Sequence, residues 1–216
     1  MKEWIPAIGA MILTASVIGI IWIYVPIAYY QVKYTIRERW YALFKLRNSW
    51  SNPVWTATGD YMIYVPRIDA KAPVVAQVDS ANEKEYFAAL KRGVAEASGL
   101  SVPGRRGTTY LFAHSKDNPL NFSRFNAVFY LLDKMKPDDR VEVYYKGNYY
   151  HYKVEKMEIL AASDTRYLVP QFQHELLILQ TCYPFGTTQK RLVVVATPPY
   201  DAKTFATTSW GVLSSR

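Results

Sequence analysis

The chain has 216 residues, of which half are hydrophobic and 15% aromatic, enough for a packed core, which excludes a mainly disordered polymer. Its formal net charge of +8 fits an ordinary basic surface, an anionic membrane or an anionic wall polymer. No run of five Lys or Arg occurs, and one Cys with three His offers no zinc spacing, so neither nucleic-acid binding nor a metal or cofactor is expected.

In chain order, the first element is an uncharged stretch from Trp4 to Val32, "IPAIGAMILTASVIGIIWIYVPIA" at its centre. That is long enough to cross a bilayer, which takes about 20 residues. A cleaved signal peptide would have a shorter apolar region ending at small residues. Here Trp22, Tyr24, Tyr29 and Tyr30 follow, as in an interfacial aromatic belt. The expectation is an uncleaved transmembrane anchor over 1–32, so that membrane lipid is one partner. The flank beyond it carries Lys33, Arg37, Arg39, Lys45 and Arg47 against Glu38. Taken alone, that charge places the large C-terminal domain in the cytoplasm.

Residues 33–59 read as a juxtamembrane helix and linker, with Trp40, Leu43 and Phe44 at helical spacing. From Tyr61 the pattern turns to short apolar or alternating runs. Strands are predicted over 61–66, 72–78, 108–113, 140–145, 149–159, 175–181 and 191–197. Lys146-Gly147-Asn148 between two Tyr/Val-rich runs is a hairpin signal. Ser80 and Glu83 form a capping-box pattern ahead of "EYFAALKRG", and "NAVFYLLDKMK" is a second helical piece. Many strands and few helices indicate a small β-barrel or sandwich over 60–200. The tail 201–216 is small and polar, hence peripheral.

Cys182 is the chain's one thiol and ends the apolar run "ELLILQT". It cannot bridge within the chain, so it is buried and inert, pairs between chains, or reacts. After it comes the loop "YPFGTTQK", and Arg191 opens the next apolar run. If the two runs pair as a hairpin, the guanidinium returns beside the thiol, favours thiolate and can donate to an oxyanion. A cysteine nucleophile also needs a proton acceptor and donor. His151 lies within a Tyr-rich strand and His174 in a polar turn, whereas His114 ends the run "TTYLFA" at a strand terminus. On position alone His114 is the best candidate, although sequence separation does not say which histidine meets Cys182 in space.

"LILQTC" with an Arg nine positions on resembles the Thr-Leu-x-Thr-Cys…Arg signature of sortases, and "TTYLFAHS" resembles the strand that ends in their catalytic His. "MIYVPRIDAKAPVV", "ALKRGVA" and "LLDKMKPDDRVEV" are similar in place and order, so the resemblance runs from about Tyr61 to Thr197. It implies a closed eight-stranded sortase-type barrel, mainly β with short helices, held outside the cytoplasmic membrane. The charge count and the resemblance thus give opposed orientations.

By that resemblance Cys182 is the nucleophile, His114 the acid and base, and Arg191 the oxyanion or substrate-backbone donor. Thr181 is a candidate for orienting substrate. The implied reaction cuts a Leu-Pro-x-Thr-Gly-type motif between Thr and Gly in a surface protein or pilin. The acyl group then passes to an amine of a peptidoglycan precursor or a pilin lysine. Hydrolysis by the same residues, or an inactive peptide-binding barrel, are the alternatives. Ile178 stands where many members carry Thr, nothing catalytic is expected at Glu96, and "NPVW" is a faint echo of the lid of pilin-type members.

Overall fold

The computed structural model describes residues 4–44, 56–114, 128–184 and 187–199. These fall into two compact units, 1–50 and 51–216. The segment "NPVW" and the C-terminal tail lie outside the described residues.

In the first unit one helix, α1 (Trp4–Phe44), runs 41 residues without a break, so the described parts of the expected anchor and of the juxtamembrane segment up to Phe44 are one element. Its apolar side chains form no single stripe: Met11, Ile12 and Leu13, consecutive around the axis, are all exposed. The hydroxyls of Thr14 and Ser16 donate to the carbonyls of Ala10 and Ile12 one turn back, so their polarity is satisfied within the helix. Among the described residues no helix is long and apolar enough to cross a membrane. The expected transmembrane segment over 1–32 is therefore not supported by the described residues, which from Trp4 on show helix and no more.

The second unit is a closed barrel of eight strands in the order β1-β2-β3-β4-β7-β8-β6-β5. The strands are β1 (Tyr61–Val65), β2 (Ala70–Val78), β3 (Val94–Ala97), β4 (Gly107–Phe112), β5 (Arg140–Tyr145), β6 (Asn148–Ala161), β7 (Glu175–Tyr183) and β8 (Lys190–Thr197). Alternation along them separates an inner from an outer face. Ile63, Val65, Val141, Val143, Leu177, Leu179 and Val194 fill the interior and are wholly buried.

One strand was not legible as such: β3 reads "VAEA", four residues without alternation, and all four are buried. It pairs parallel with β2, and α2 (Glu83–Arg92) makes the crossover between them. The predicted capping box shifts by two residues, because Asn82 caps α2 by accepting from the Glu85 N–H at 3.4 Å. Asn is a favoured cap, and Glu85 reaches back to the Asp79 N–H at 3.2 Å. At the other end Gly93 packs against β2. A Cβ there would stand 2.2 Å from the Pro73 carbonyl oxygen, so any side chain would push α2 and β3 off the barrel.

The second expected helix is not formed in its described part, 128–136. That part is turn followed by a single 3-10 turn, Leu132–Lys134, with Phe129 and Leu132 fully buried. The β5–β6 hairpin forms as predicted. Lys146 and Gly147 both take positive φ (47° and 88°), the geometry a two-residue hairpin loop requires.

The outer face of β4, β7 and β8 is not open to water along its length. Tyr110, Phe112, Ile178, Val193 and Val195 form a second apolar cluster there with Ala89 and Leu90 of α2. Tyr167 and Leu168, from the β6–β7 connection, pack against it. The cluster fixes α2 over the wall that carries the candidate site.

Candidate active site

Three neighbouring strands deliver the predicted residues. β7 and β8 pair antiparallel, and in their register Cys182 stands opposite Arg191. Directly opposed side chains on one face have Cβ atoms about 5 Å apart. The long-looped hairpin inferred from the two apolar runs is thus the one formed.

On the other side of β7 runs β4, parallel to it, with Phe112 beside Gln180. The pairing continues past the strand's last residue, since the Ala113 N–H donates to the Gln180 carbonyl at 3.1 Å. The next residue, His114, therefore comes abreast of Cys182 one strand spacing away, about 4.8 Å between backbones. His114, Cys182 and Arg191 lie in a row across the ends of β4, β7 and β8, on the outer face. All three are half-buried, so the row is reachable.

Arg191 is held by the loop before it. Its Nη1 donates to the carbonyls of Thr188 at 3.0 Å and Lys190 at 3.2 Å. That fixes the plane of the guanidinium, while Nε and Nη2 have no hydrogen-bond partner among the described residues. Its charge also reaches the Tyr110 hydroxyl, partly opposing the burial that pushes that phenol well above its ordinary range. The Tyr110 hydroxyl in turn donates to Gln180 Oε1 at 3.4 Å, two residues before the thiol on the same face.

Thr181 is not brought together with these three. It is on the opposite face, 3% exposed, and its hydroxyl donates to the Ala113 carbonyl at 2.9 Å. Alternation carried the signal: Thr181 continues the set Leu177, Leu179 that points inward. Its position corrects the expectation that it faces substrate. What it does is tie β7 to the residue preceding His114.

The other two histidines lie elsewhere. His151 faces Glu142 across β5 and β6, and burial together with the nearby Arg140 charge lowers its pKa. His174 is exposed and uses its backbone carbonyl to accept from Gly107 at 2.9 Å. Glu96 points into the barrel, where Tyr61 donates to it at 2.7 Å and burial pushes its carboxyl upward. Among the described residues no group of three His, Cys, Asp or Glu could hold a metal ion.

Two residues that spacing did not single out line His114. Phe87 and Tyr86 of α2 have ring centroids 5.8 Å and 6.0 Å from the imidazole. They lie nearly thirty residues away in the chain, and only the crossover fold brings them there.

Comparison with known proteins gives the same outline. The sequence model of the sortase domain matches residues 63–199. Sortase D of Bacillus subtilis (strain 168) is 25% identical over 142 residues, 64% of this chain, and the chain spans 63% of that relative's length. Clostridium perfringens sortase C, solved with the C-terminal cell wall sorting motif, is 25% identical at a TM-score of 0.53. That match covers 64% of this chain and 69% of the other. Streptococcus agalactiae sortase C1, solved in complex with MTSET, is 26% identical at a TM-score of 0.53, covering 64% of this chain and 68% of that one.

Proposed function

Because the chain belongs to the sortase family, whose members are cysteine transpeptidases, we propose that it cuts a Leu-Pro-x-Thr-Gly-type sorting motif between Thr and Gly and transfers the acyl part to an amine. The observation that carries this reading is the row of His114, Cys182 and Arg191 across three adjacent strand ends.

In that row the Cys182 thiolate attacks the threonine carbonyl carbon, and the negative charge that develops on its oxygen falls toward Arg191. A guanidinium held in one plane is suited to this, because it need not reorganise as the charge forms. The carbon–nitrogen bond then breaks, His114 gives its proton to the departing glycine amine, and a thioester remains on Sγ. An incoming amine attacks the thioester, His114 takes the proton it sheds, and Cys182 leaves as thiolate. Protons and charges balance over the cycle. Thr181 takes no part in these steps; it holds the strands that aim His114 and Cys182.

The donors are surface proteins or pilins bearing the motif, and the acceptor is an amine of a peptidoglycan precursor or a pilin lysine. The solved relative holding a sorting motif supports the first half of that statement. We also place the barrel outside the cytoplasmic membrane, anchored through α1. The support is the uncharged run from Trp4 to Val32, which is helical, and the Thr14 and Ser16 hydroxyls, which are bonded within that helix.

A peptide library with an added amine, read by mass spectrometry, tests the reaction. Acyl–amine products cut after Thr are expected. Release of free acids alone would replace transfer by hydrolysis, and no cleavage at all would leave a binding barrel.

A further inference from the structure

His114 stands at the very end of its strand. The Ala113 N–H donates to the Gln180 carbonyl, which places the backbone before His114, whereas the plane of its ring depends on what packs against it. Two side chains from α2 pack against the ring. Phe87 stacks on it with centroids 5.8 Å apart and planes 25° from parallel. Tyr86 meets it edge-on at 6.0 Å and 88°. Tyr86 is itself anchored, stacked on Phe112 at 5.3 Å and 11°, and it meets Phe87 edge-on at 5.3 Å. Phe112, Tyr86, Phe87 and His114 thus form one aromatic group bridging the strand end to the helix.

We propose that Phe87 and Tyr86 are positioning residues for the transpeptidation, holding the His114 imidazole in plane and favouring its charged form through the face of Phe87. Phe87 is 37% exposed, a large apolar ring left at the surface beside the site rather than buried in the core under α2. A cation lying over an aromatic face is attracted to its quadrupole. An imidazolium over Phe87 is therefore stabilised relative to the neutral ring, in the form that must protonate the leaving amine. Edge-on Tyr86 blocks rotation of the imidazole without competing for that face.

Cys182 lies next to His114 on β7, Arg191 beyond that on β8, and Glu83, Lys84 and Lys91 lie around Phe87 on α2. None of them is altered by replacing Phe87, so a Phe87 variant isolates the effect of the ring.

The inference rests on the transpeptidase reading for its purpose, but its test does not need turnover. The full chain in detergent micelles would be titrated by NMR on the His114 imidazole, assigned by its loss in His114→Asn. Phe87→Leu keeps the bulk and removes the π face. Its titration midpoint should fall by about half a pH unit, the direction expected when a cation loses its aromatic partner. With a cleavable sorting peptide kcat should fall roughly threefold to tenfold at unchanged KM, the signature of a lost transition-state interaction. Phe87→Tyr should restore both. An unmoved midpoint in a folded Phe87→Leu protein would overturn the proposal, as would failure of Phe87→Tyr to restore it. Absence of turnover in every variant, wild type included, would defeat the proposed reaction while leaving the titration to decide this one.

Discussion

Thr181 and Cys182 are neighbours in the chain and face opposite ways, because successive residues of a strand alternate between its faces. The thiol is delivered to the outer face beside Arg191, while the hydroxyl is spent inside on the Ala113 carbonyl. Arg191 cannot be exchanged for another cation on the same argument. Two of its hydrogen bonds fix it to the Thr188 and Lys190 carbonyls, and a lysine has no planar fork with which to do that and still face substrate. Arg191→Lys should lose about 100-fold in kcat at unchanged thermal stability, on the scale of removing one oxyanion donor. Near-normal steady-state turnover would remove Arg191 from the site. At this scale the placement of the candidate residues was largely legible: Cys182 and Arg191 mark where apolar runs end and begin, and His114 is the histidine at a strand terminus. Phe87 and Tyr86 were not, since a contact between α2 and the end of β4 depends on how the crossover packs and leaves no periodic trace.

Elements were legible where their pattern repeats. The seven predicted strands and the Lys146-Gly147 hairpin formed with ends shifted by a residue or two. The failures share a cause, tertiary burial overriding local pattern. β3 is buried on both faces and so shows no alternation, and "NAVFYLLDKMK" sinks Phe129 and Leu132 into the core as turns where a helix was expected. The link between Thr181 and Ala113 operates at this scale, joining β7 to β4 just before the ends that carry Cys182 and His114. Thr181→Val keeps the shape and strands the buried Ala113 carbonyl, which should cost about 1–3 kcal/mol in urea unfolding. It should also lower kcat several-fold with KM unchanged, because the His114–Cys182 alignment loosens. A raised KM at full stability would instead mean that the hydroxyl meets substrate.

For the whole molecule, α1 and the barrel belong to separate units, and two signals give the helix opposite directions. Positive charge beyond Val32 argues for a cytoplasmic barrel, whereas the reaction proposed for it would take wall or pilus substrates outside the cell. If α1 anchors the barrel as proposed, the full chain stays with the membrane pellet after alkaline extraction. An impermeant thiol reagent should then label Cys182 in intact cells, with labelling of the solubilised folded protein showing that the half-buried thiol can react. Release into the supernatant would dismiss the anchor, and labelling only after lysis would reverse the orientation.

The proposed reaction turns on one covalent bond, a thioester at Cys182, formed at the row that β4, β7 and β8 assemble. Intact-protein mass spectrometry of the chain mixed with a peptide containing Leu-Pro-x-Thr-Gly, without an acceptor amine, reads it directly. The mass of the acyl fragment ending in Thr should be added to the wild-type protein, absent from Cys182→Ala, and discharged when an amine is supplied. Cleavage of the peptide by Cys182→Ala, or an adduct mapped to any other residue, would contradict it.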